Sequence, residues 1–193
     1  KRDSVYKSIG NYPIVPFGKI DQYKNLKYMS NTSLSSILEK NGSSVEELND
    51  KIKVAVEIAG PGTREGVVAA AITLIGNLAD TGYRLTYFWG GKRNNFGVDG
   101  TWGLRKSNPY CNDHYFDTQE GIDHCNKDMS YWGMDCSGFV NWAVVNGTQR
   151  KASQGETNNG TSISMNSSTA DHAVCEIGDA LATTGHIVLV VGL

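Results

Sequence analysis

The residues best equipped for chemistry are Cys136 and His186, about fifty positions apart. Cys136 sits in Asp135-Cys136-Ser137-Gly138, followed by the apolar pair Phe139-Val140. This arrangement predicts a helix that begins at the cysteine. A thiol at a helix start lies at the positive end of the helix dipole, which favours thiolate over thiol. The thiolate is the nucleophilic form. His186 opens the run His186-Ile187-Val188-Leu189-Val190-Val191 after Gly185. That run predicts a central β-strand with an imidazole at its mouth. A cysteine on a helix and a histidine on a strand are the two parts of a cysteine hydrolase.

The elements that must position them are legible in outline. Ser44-Val45-Glu46-Glu47 fits a capping box, and Val45, Leu48, Ile52 and Val56 follow at helical spacing. Gly60-Pro61-Gly62 ends that helix and links it to the next. Thr63 can cap a second helix, with Glu65 in its first turn. From Val67 to Leu78 that helix is apolar on most sides, which predicts burial within a core. The helix of Cys136 is expected to run to about Val145 and stop at Asn146-Gly147. Gly178-Asp179-Ala180-Leu181 begins the return to β structure. Residues 1–30, with Pro13, Pro16 and Gly18, read as an extended arm. Residues 92–134 form a long polar insertion, and long loops in compact domains are often functional. Residues 147–171, rich in Ser, Thr, Asn and Gly, read as a mobile loop.

Composition narrows the classes. The 193 residues are 39% apolar, enough for one sizeable core and an extension. No stretch approaches the roughly 20 apolar residues of a membrane span. A net charge of −2 gives no general attraction to nucleic acid. Residues 1–40 are locally basic, with seven Lys/Arg against three Asp/Glu. They form a solvated face or attract an anionic polymer. The four cysteines fit neither a dense disulfide scaffold nor a CxxC pair.

Four pieces of the chain, in order, resemble the NlpC family of bacterial cell-wall cysteine peptidases, within the papain-like clan. Thr63-Arg64-Glu65 with its apolar helix is similar to the family's opening helix. Tyr87-Phe88-Trp89-Gly90-Gly91 is similar to its aromatic-Gly-Gly turn. Asp135-Cys136-Ser137-Gly138-Phe139-Val140 is similar to its nucleophile motif. Gly178-Asp179 with Gly185-His186-Ile187-Val188-Leu189-Val190 is similar to its histidine strand. The likeness spans roughly residues 63–193 and leaves 1–60 outside.

The resemblance implies an α+β, papain-like fold: a nucleophile-bearing helix on a mainly antiparallel sheet, with the cleft between them. It implies an N-terminal arm and linker helix at 1–60 and a peptidase domain at 61–193. Cys136 would be the nucleophile and His186 the general base. The Cys136 N–H would help hold the oxyanion. Asp135, Ser137 and Tyr87 would bind the free amino end of a peptidoglycan stem peptide. The implied reaction is hydrolysis of an amide next to a D-amino acid. The alternatives are a non-catalytic wall-binding or inhibitory module on the same fold, or an amidase cutting between sugar and peptide. A secreted or surface-attached bacterial monomer is expected, with no cofactor and no nucleic-acid partner. A leader or upstream domain is expected to precede Lys1.

The chain departs from the family pattern in two places. The family's third catalytic residue follows the histidine by about a dozen positions, whereas the sequence ends at Leu193. By the resemblance, the orienting group is expected to be missing from these residues or to be supplied by another, His172 and Asn141 being available. The stretch from Lys92 to Met134 is also longer than the family pattern. It holds Cys111, His114, His124 and Cys125. A Cys111–Cys125 disulfide, free thiols and a zinc site are the three readings of these residues. Cys175 reads as buried in a strand. Trp89 reads as a core aromatic.

Overall fold

A computed structural model describes residues 25–29, 32–86, 96–98, 105–106, 130–131, 133–150, 177–183 and 185–191. The described elements, in order, are β1 (Lys27–Tyr28), α1 (Leu34–Lys40), α2 (Val45–Ala59), α3 (Arg64–Asp80), β2 (Tyr83–Arg84), β3 (Arg105–Lys106), β4 (Ser130–Tyr131), α4 (Cys136–Thr148), β5 (Ala180–Thr183) and β6 (His186–Leu189). Helix and sheet are mixed, compatible with an α+β fold.

Each helix starts where its side chains can satisfy the orphan N–H groups of a first turn. Ser33 Oγ accepts from Ser36 N–H at 3.2 Å. Ser44 Oγ accepts from Glu47 N–H at 3.1 Å, and Thr63 Oγ1 from Gly66 N–H at 3.1 Å. The Glu47 carboxylate is held below the ordinary glutamate range, first by the Ser43 hydroxyl and then by Lys51. Lys51 also reaches Asn77 Oδ1 at 3.5 Å, linking α2 to α3.

One cluster of buried side chains forms the core. It takes Met29, then Leu34, Ile37 and Leu38 of α1, and Leu48, Ile52 and Val56 of α2. Val67, Ala70, Leu74 and Leu78 of α3 and Trp142 and Ala143 of α4 complete its centre. The described part of 1–60 and the helices after it therefore share one apolar interior. As expected, α3 is buried on most sides, although Ile75 reaches solvent. Burial of this kind stabilises by about 25 cal/mol per Å² of apolar surface.

Three separate two-stranded sheets are present among the described residues. β1 pairs with β2 in parallel, Lys27 opposite Tyr83. The Arg84 guanidinium lies 3.8 Å from the centroid of the Tyr28 ring. β3 and β4 pair antiparallel, as do β5 and β6.

Three expectations need correction. Residues 25–29 belong to the arm by sequence, yet they include β1, and α1 follows where no helix was expected. The strand of His186 was expected to be central. Among the described residues it is one arm of a hairpin, paired with β5 alone. The helix of Cys136 does not stop at Asn146-Gly147; it continues to Thr148, and Gln149 closes it in the left-handed region at φ 56°. The reason is packing. At Gly147 a β-carbon would overlap the backbone of Val67, and at Gly66 one would lie 2.8 Å from the Gly147 carbonyl oxygen. The glycine is a notch where α4 crosses α3, not a terminator.

Candidate functional site

Asp135 is the N-cap of α4 and Cys136 its first residue. The Asp135 carboxyl accepts the Gly138 N–H at 2.6 Å and the Ser137 hydroxyl at 2.8 Å. It is 6% exposed. An acid at this position satisfies an orphan donor and lies at the favourable end of the helix dipole. Cys136 carries a free thiol and is half-buried, as is Ser137. The Cys136 N–H belongs to the first turn of α4, where N–H groups have no partner within the helix.

The approach to this helix start is fixed by a long-range bond. Met134 N–H donates to the Thr86 carbonyl at 3.0 Å. Thr86 immediately precedes Tyr87 in sequence, and Met134 immediately precedes Asp135. Tyr87 itself lies outside the described residues, as do Trp89, Cys111, His114, Cys125, His124, His172 and Cys175. Asn141 is buried further along α4, on the same helix as the cysteine.

His186 is the first residue of β6 and is exposed. β6 packs alongside α4, and Leu189 reaches the core. Exposure alternates along the strand: His186 and Val188 face out, while Ile187 and Leu189 are half-buried. The structure thus brings the helix of Cys136 and the strand of His186 together. It puts the imidazole on the strand face turned away from the core.

Sequence reasoning missed a second set of polar residues around α4. The Trp142 indole N–H donates to the Gly97 carbonyl at 2.7 Å, and Asn146 Oδ1 accepts the Gly97 N–H at 2.6 Å. Asn49 of α2 completes the clamp. It accepts the Val98 N–H at 2.7 Å and donates to the Val98 carbonyl at 2.9 Å. Gly97 and Val98 of the insertion are thereby held between α2 and α4, their peptide groups satisfied by side chains. Trp142 at an apolar helical position was the available signal. The two asparagines carried none.

The described residues contain no group of three or more His, Cys, Asp or Glu able to hold a metal ion. No described helix is long and apolar enough to cross a membrane. The chain matches no family model, no curated protein and no solved structure.

Proposed function

We propose that this chain is a papain-like cysteine hydrolase of the bacterial cell wall, as its motifs imply by resemblance. The observation that carries the reading is the free, half-buried Cys136 at the start of α4, with the strand led by His186 packed beside that helix. In this reading His186 takes the thiol proton and Cys136 Sγ attacks the carbonyl carbon of a stem-peptide amide. The Cys136 N–H bonds the oxyanion. The carbon–nitrogen bond breaks, and the imidazolium returns its proton to the leaving amine. Water then attacks the thioester while His186 takes its proton; the carbon–sulfur bond breaks, the acid leaves, and the imidazolium proton returns to the Cys136 thiolate. Asp135, Ser137 and Tyr87 receive the free amino end of the substrate. The protein works outside the bacterial cell, as a monomer.

A second reading is favoured by two observations. His186 lies on the exposed strand face, and the Asp135 carboxyl is already engaged in the cap. Both suit a wall-binding or inhibitory module that keeps the fold without the chemistry. Digestion of purified cell walls, with mass spectrometry of the soluble products, separates the readings. The hydrolase releases stem-peptide fragments, and Cys136→Ser releases none. Equal release by the two proteins, or none from wild type, contradicts hydrolysis. The fragment masses also tell an endopeptidase from an amidase.

A further inference from the structure

Two sequence motifs have no part in the chemistry above: Thr63-Arg64-Glu65 and Gly178-Asp179. They meet in space. The Arg64 guanidinium forms an ion pair with the Asp179 carboxylate across 115 positions of sequence. Gly178 lies against the Arg64 backbone, in the left-handed region at φ 86°, and a β-carbon there would come within 2.6 Å of Arg64 Cβ. Only glycine allows this approach. The same turn is bonded to the histidine strand. Gly178 N–H donates to the Val190 carbonyl and Val190 N–H to the Asp179 carbonyl, both at 2.8 Å.

The nucleophile helix is tied to the same place. Gly62 N–H donates to the Gly147 carbonyl at 3.0 Å, and Gly147 sits on Gly66 and Val67. Residues 62–67 therefore anchor two things at once: the C-terminal end of α4 and the C-terminal end of β6. From that shared anchor Cys136 lies eleven helical residues back, about 16 Å. His186 lies four strand residues before Val190, about 13 Å. A slide of either element at the anchor is carried undiminished to its far end, and a tilt is magnified there.

From this geometry we infer that Arg64 and Asp179 are positioning residues, which set the register of the β5–β6 hairpin, and with it His186, against α4. The inference deepens the function proposed above and takes its purpose from it. The pair is about half-exposed on the Arg64 side. Exposed ion pairs add little to stability, so its contribution is geometric. An arginine in the first turn of α3 also opposes the helix dipole, and the Asp179 carboxylate offsets this.

The test uses Arg64→Ala, Asp179→Asn and the charge exchange R64D/D179R in the full chain. Amide hydrogen exchange at Gly178 and Val190 should quicken about tenfold in each single variant and return toward wild type in the exchanged pair. The amides of Leu74 and Leu78 should not change. Wall hydrolysis should lose about tenfold in kcat in each single variant with KM nearly constant, and recover in the exchanged pair. Unchanged exchange in the single variants, or no recovery in the pair, overturns the latch. Quickened exchange with unchanged kcat overturns the positioning of His186. If wild type cleaves no wall, the proposed function falls, and the exchange data alone decide the latch.

Discussion

At the scale of single residues, the capping duty of Asp135 and the recognition duty proposed for it can be separated. Its carboxyl caps α4 through the Gly138 N–H and holds the Ser137 hydroxyl. The resemblance adds recognition of a substrate ammonium. Asparagine caps helices about as well as aspartate but has no charge. Asp135→Asn should therefore keep its stability in urea denaturation, whereas Asp135→Ala should lose about 1 kcal/mol. If the carboxylate also meets an ammonium, Asp135→Asn should raise KM for stem peptide about tenfold, because hydrogen bonds between charged groups are the strong ones. An unchanged KM would confine Asp135 to capping. This cap was legible in sequence, since an aspartate three positions before a glycine and ahead of an apolar run is a helix start. The partners of Asn49 and Asn146 were not legible. A surface asparagine and one that clamps a backbone 49 positions away look alike in one dimension.

At the scale of elements, the caps and apolar spacing of α2 and α3 were readable because helix formation obeys local rules. α1 was not, although Leu34, Ile37 and Leu38 stand at helical spacing. Seven residues are too few for the period to repeat. The two-residue strands were unreadable for another reason: β1 meets β2 across more than fifty positions, and nothing local encodes such a pairing. Asn146-Gly147 misled because the same dipeptide serves a helix end or a close crossing, and only the partner helix decides. Gly147→Ala tests the crossing. A methyl group there has backbone on its far side and nowhere to move, so the variant should lose about 3 kcal/mol in denaturant unfolding, at the upper end of ordinary overpacking. A loss below about 0.5 kcal/mol, the range of neutral surface changes, would contradict the notch.

At the scale of the molecule, one apolar interior runs through the described helices. Residues outside the family likeness, Met29 to Val56, fill the same interior as Trp142 and Ala143. Gly97 and Val98 of the polar insertion are fastened to that body by Asn49, Trp142 and Asn146. The placement of Cys136 at a capped helix start was legible because it depends on neighbours in sequence. Its relation to His186 was not, because it depends on how a hairpin seats on a helix. The exposed face taken by His186 makes that relation the decisive one. The most direct measurement is the rate at which iodoacetamide alkylates Cys136 near pH 7, followed by peptide mass spectrometry, in wild type and in His186→Ala. A working pair predicts that removing the imidazole slows alkylation of Cys136 about tenfold or more. Equal rates in the two proteins would contradict the pairing of this thiol with this histidine.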